Sequence, residues 1–276
     1  SAAGAQQVLY DPLTSRTAAD GSIVRDAFAG NIIPGNRLST VGRNLASYYP
    51  APSSAAAFYG DLNFNATVGA YNRADQTTWK VDHTITNWWR ASASYLHYGS
   101  REPGNAWFPN LASPNQGLLF RKVDATQVNS TLTPTPTMVI AVRYGFNRFP
   151  NFSAPSSFGF DITKLGFPTS LASQIAAPAF PGVSMGDLTS YGGGGVAQNV
   201  YHSRSFAASL SKFVGRHSWK FGFDYRVLNH DGQPTVNAGT YSFNDTFTRA
   251  TPVRTTVGTG ASLASLLLGY PASGSA

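Results

Sequence analysis

The chain of 276 residues contains no cysteine, which excludes disulfide frameworks, thiol catalysis, zinc ribbons and iron–sulfur clusters. Glutamate is nearly absent too: twelve Asp stand beside a single Glu, Glu102. Lysine is scarce, at five against fifteen arginines. Charged residues make up 12% of the chain, about half the usual share of a soluble domain. Exposed helices normally carry Glu and Lys, so a helical bundle or coiled coil is excluded. No apolar run approaches the roughly 18 residues of a membrane-spanning helix. The longest, Leu263 to Leu268, is far too short. The opening residues have neither the basic start nor the apolar core of a secretory leader.

What is abundant is Tyr, Phe, Trp, Thr, Ser, Asn and Gly, a composition that favours β-structure. The net charge of +7 comes from dispersed bases, with no basic run, so nucleic acid is not an expected partner. The seventeen prolines all fall outside seven strand-like segments: 75–85, 88–99, 118–132, 137–149, 200–213, 217–230 and 237–248. These segments alternate with period two, which sends alternate side chains to opposite sheet faces. One face collects Trp89, Tyr95, Ile140, Tyr144, Phe146, Trp219, Phe221, Phe223, Tyr225, Tyr241 and Phe243. The other collects Lys80, Arg90, Arg143, Lys220 and Arg226. Segment 118–132 alternates poorly.

The longer segments run well past the five or six residues of an average strand, at the length a tilted membrane-crossing strand requires. Short connections near residues 86–87, 133–136 and 214–216 alternate with long ones at 100–117 and 150–199. The expected fold is therefore all-β: an antiparallel up-and-down meander forming part of a transmembrane barrel wall, with long irregular outer loops. Residues 1–70 and 249–276 read as loop, 75–149 as two hairpins, and 200–248 as three strands. Trp88, Trp89 and Trp219 lie beside short turns, where an aromatic girdle belongs. Alternating strands also build soluble sandwiches and propellers, so a secreted glycan-binding β-protein stays open.

Catalytic signals are sparse. Gly182-Val-Ser-Met-Gly186 matches the G-x-S-x-G pattern around Ser184, but it lacks an evident strand before and helix after it. A soluble hydrolase using Ser184 is the alternative it leaves open. His83, His97, His202, His217 and His230 form no metal-ligand spacing, and no metal or cofactor is expected. Gly192–Gly195 lacks the Lys-Ser/Thr of a phosphate loop and reads as flexible chain.

An ordered series of motifs resembles the Oar-like type of TonB-dependent receptor, the large outer-membrane proteins that carry a carboxypeptidase-regulatory-like domain. The series runs from Tyr10-Asp-Pro-Leu-Thr14 to Phe28-Ala-Gly-Asn-Ile-Ile-Pro34 and Arg43-Asn-Leu-Ala-Ser-Tyr-Tyr-Pro50. Trp79-Lys-Val-Asp-His83, Arg143-Tyr-Gly-Phe-Asn-Arg148 and Gly215-Arg-His-Ser-Trp-Lys-Phe-Gly222 follow, then Leu263–Gly269 with Pro271. The resemblance implies a barrel of about twenty-two strands that imports a scarce ligand with energy from TonB. It implies outer-membrane lipid and the TonB system as partners, the latter through a plug and TonB box not seen in this sequence. The chain is then expected to be an internal piece of the wall, with the aromatic set facing lipid and the cationic set facing the lumen. Alone, its unpaired edges and bare aromatic face are not expected to persist as a soluble monomer.

Overall fold

A computed structural model describes residues 6–58, 60–114 and 117–275. Six long strands dominate it: β1 (Arg73–Thr86), β2 (Trp89–Pro103), β3 (Gly117–Thr135), β4 (Met138–Pro155), β5 (Gly195–Val214) and β6 (His217–Gly232). Each pairs antiparallel with the next in sequence. Three hairpins close on two-residue turns, Asn87-Trp88, Pro136-Thr137 and Gly215-Arg216. Gly215 takes φ +59, a conformation open to it because it lacks a Cβ. All other connections leave from the opposite end of the sheet. The long-strand meander thus matches the sequence expectation, including the poorly alternating segment that becomes β3.

The strands reach beyond the proline-free segments. Pro103, Pro134, Pro150 and Pro155 all fall inside them. Pro150 leaves a mark on the ladder: β3–β4 pairing stops at Arg121↔Asn151 and resumes at Asp124↔Arg148. A residue without an N–H interrupts the bonding without shifting the register. At the two ends of the sheet, β1 and β6 are each paired on one side only among the described residues.

The register sorts the side chains. Running across the sheet, Trp89, Leu132, Ile140, Leu210 and Phe221 are consecutive partners, as are Ala93, Val128, Tyr144, Phe206 and Tyr225. Partners share a face. Trp89, Tyr95, Ile140, Tyr144, Phe146, Trp219, Phe221, Phe223 and Tyr225 therefore lie together on one aromatic face. The β6 rings stand largely open, with Phe223 at 60% exposure, while Trp89, Ile140 and Phe146 are half-buried. Met138 to Phe146 spans ~27 Å along β4.

The seventh expected strand is corrected. Residues 237–248 do not extend the meander. They place Asn237 beside β5 and make a short strand Thr240–Phe243 and a 3-10 turn at Asp245–Phe247. Asn244 caps that turn by accepting the Thr246 N–H at 3.0 Å. Phe243 is buried and Tyr241 stacks on Phe167 at 5.2 Å, so neither belongs to the aromatic wall.

The stretches read as loops also fold. They build a cap at the long-connection end, with helices α1 (Thr40–Ala46), α2 (Thr169–Ala172) and α3 (Ser262–Leu268). Short strands Gly182–Met185, Thr240–Phe243 and Ser273–Ser275 form a second sheet. The core gathers Leu45, Phe108, Leu165, Phe180, Tyr191, Phe243 and Leu266 from the four stretches of chain outside the long strands and their tight turns. Ser39 starts α1, accepting the Gly42 N–H at 3.2 Å. Its own N–H donates to Leu267 O at 2.8 Å, tying the start of α1 to the end of α3. Gly269 ends α3 at φ +77.

Candidate functional site

Two concave regions of the molecule are candidates for the functional site. The first is the polar face of the sheet. Lys80, Arg90, Arg143, Lys220 and Arg226 all lie on it, opposite the aromatic set. The structure thus places all five predicted cations on one face. It bends into a hollow of about 530 Å³ whose lining includes Ser94, Gln127, Arg143, Asp224 and Arg226. Lys80 is held by Asp82 at 3.0 Å, whereas no ion pair holds Arg90, Arg143, Lys220 or Arg226 among the described residues. Farther out on this face Tyr201 stacks between Phe149, at 5.9 Å, and His230, at 4.5 Å.

The second is a cavity of about 1010 Å³ in the cap, which sequence reasoning did not anticipate. Tyr49, Phe58, Phe64, Trp107 and Phe108 give it aromatic walls, and Asp61, Asn63, Asn65 and Asp187 give it polar edges. No Lys, Arg or His is among its described lining residues. The signal available in the sequence was aromatic side chains set among Pro, Gly and Ser, which carries no period and points to no partner.

The cavity's back wall is fixed by buried polar contacts. Asp187 accepts the Ser262 N–H at 3.1 Å and the Ser262 hydroxyl, which anchors the start of α3. Tyr191, 2% exposed, donates its hydroxyl to Leu45 O at 2.9 Å and so satisfies the end of α1. Burial pushes the Tyr191 phenol up, keeping it a neutral donor. Tyr191→Phe should lower cap stability by about 0.5–1.5 kcal/mol, because Leu45 O loses one of its donors and keeps the Tyr48 N–H at 3.1 Å. Hydrogen exchange at α1 would show it, and unchanged protection would refute the role. Elsewhere in the cap Arg37 grips Asp11 through two bonds of 2.7 and 2.8 Å. The Arg37 hydrogen bonds hold the Asp11 carboxyl below its usual range.

Ser184 does not sit on a nucleophile elbow. It lies inside the short strand Gly182–Met185, paired with Ser242, and no helix follows directly. All five histidines lie on the long strands, none in the cap that carries Ser184. His83 pairs with Ala91 and His97 with Thr77, which separates the two histidines by ~20 Å along the hairpin. No group of three metal-binding side chains occurs among the described residues.

Long antiparallel strands, two-residue turns at one end, elaborate connections at the other, and one aromatic face against one polar face define a wall of a transmembrane β-barrel. The sequence comparison agrees. The profile of the outer membrane beta barrel domain family matches residues 1–276, and the chain belongs to that family. It is accordingly a protein of the bacterial outer membrane. No curated protein and no solved structure gives a significant match.

Proposed function

We propose that the chain is part of the wall and outer mouth of a TonB-dependent receptor that imports a scarce ligand and catalyses no reaction. The observation that carries this reading is the pairing of a charged, concave wall with a cavity-bearing cap at its outer end. The motif series from Tyr10 to Pro271, which resembles Oar-like receptors, supports TonB coupling. In this reading the aromatic face meets lipid. The free cations Arg90, Arg143, Lys220 and Arg226 face a plug and the ligand path. Cations turned to lipid at mid-bilayer would cost about 2–4 kcal/mol each, which favours this orientation.

The cap cavity makes first contact with the ligand. Aromatic walls with two carboxylates and no cation suit a neutral or cationic oligomer and disfavour an anionic one. The test uses cells making the intact receptor, fed a mixture of neutral, cationic and anionic oligopeptides and oligosaccharides. Mass spectrometry follows depletion of the medium. Neutral or cationic members should disappear only when both the receptor and TonB are present. Trp107→Ala should slow that uptake about tenfold. Uptake that persists without TonB would make the protein a passive pore instead.

A further inference from the structure

The aromatic face does not end bare at the outer side. Moving outward along the strands, its apolar positions give way to charge. On β2, Tyr95 is followed on the same face by His97 and Arg101; on β3, Thr126 by Asp124 and Lys122; on β4, Phe146 by Arg148; on β5, Phe206 by Arg204. A hollow of about 550 Å³ opens at this level. Its described lining includes Arg73, His97, Arg101 and Lys122, with Asp75 as the one carboxylate. Phe120 and Phe152, rings 6.3 Å apart, pair in register with Arg101 and give it an apolar floor.

The charges are unevenly matched. Asp75 bonds Arg73 at 3.1 Å, and Asp124 is shared between His97 at 2.8 Å and Lys122 at 3.3 Å. Arg101 and Arg148 have no carboxylate partner among the described residues. The hollow therefore offers surplus donors for an anion above an apolar floor.

We propose that this hollow is a binding site for the phosphate of an outer-leaflet lipid headgroup, an inference that rests on the aromatic face meeting lipid. Three features specify the occupant. The site lies at the long-connection end, which faces outward in such barrels. Its cations stand just beyond the apolar stretch, at the depth where headgroups meet hydrocarbon. Arg101 presents a planar fork suited to phosphate oxygens, and Lys122 adds a point charge. Phe120 and Phe152, level with Arg101 and outward of Lys122, pack against the apolar carbons of the headgroup. A soluble phosphate would use the cations but leave that floor wet.

The intact receptor, freed of native lipid, is placed in phosphatidylcholine nanodiscs containing a few per cent diphosphoryl lipid A. Lipid A retained per barrel is measured by mass spectrometry. Retention should fall at least tenfold in Arg101→Glu/Lys122→Glu and several-fold in the milder Arg101→Gln/Lys122→Gln. It should be unchanged in Arg226→Glu, on the opposite face. Millimolar inorganic phosphate should compete only weakly. Full retention by both Arg101/Lys122 variants, in barrels whose gel mobility shows them folded, overturns the site. Complete displacement by inorganic phosphate overturns the lipid as occupant. Loss of lipid A in Arg226→Glu alone overturns the face assignment, and the site with it.

Discussion

Phe223→Lys is expected to cost the folded barrel about 2–4 kcal/mol in a bilayer, while Arg226→Glu on the same strand leaves assembly intact. The two positions lie three residues apart on β6 and point to opposite faces. Phe223 stands in a row with Ala208 and Val142 and has the Phe206 and Tyr225 rings beside it. A lysine there must leave its ammonium in hydrocarbon or drag its stem toward an interface. Arg226 lines the polar hollow, where a carboxylate stays hydrated. Urea titration of the barrel in lipid vesicles would read the difference, and heat-dependent gel mobility would report assembly. An Arg226→Glu barrel that fails to assemble beside a normal Phe223→Lys barrel would invert the wall.

The second large effect belongs to the cap. A Cβ on Gly42 would collide with the backbone oxygen of Leu266. The obstacle is helix α3 itself, with no flexible side chain able to swing away. Gly42→Ala should therefore push α1 off α3, at about 1–3 kcal/mol or more. The damage stays local, because α1 and α3 meet in the cap and not in the wall. Limited trypsin treatment of intact cells should then cleave the cap much faster, with barrel mobility on gels unchanged. Ligand capture should fall as well, since Ala46, Leu263 and Leu267 line the cavity. Cleavage at the wild-type rate would show that the helices tolerate the added methyl.

The wall was legible because a strand exposed on both faces must write its environment into every second residue. Trp219 to Tyr225 on β6 and Ile140 to Phe146 on β4 do so over enough positions to fix both type and face. The same rule misled at Tyr241 and Phe243. A short strand buried in the cap also alternates, and four residues cannot distinguish a buried sheet from a lipid-facing one. The cap itself was nearly invisible. Leu45, Phe108, Phe180, Tyr191 and Leu266 come from stretches scattered along the chain, so no window of sequence contains their contact. Only one local piece showed: the apolar run at Leu263–Leu268 is α3, with Gly269 closing it. The cavity followed the cap into obscurity, because Trp107 and Phe58 take their meaning from neighbours far away in sequence.

Within the cap, the segment before β1 and the segment after β6 are bonded to each other. Val8 pairs with Thr259, the Tyr10 N–H donates to Thr248 O at 3.0 Å, and Gln7 bonds Gly260 across 253 positions of chain. Closing so long a loop in a free chain is entropically costly and slow. The meander removes most of that burden, since each strand pairs with its immediate successor and the hairpins can form one after another. The order of events is thereby set: strands zip first, and only a completed zipper brings the flanking segments within reach. A chain stalled at any hairpin leaves the clasp open, so closure of the mouth marks a wall whose strands are already in register.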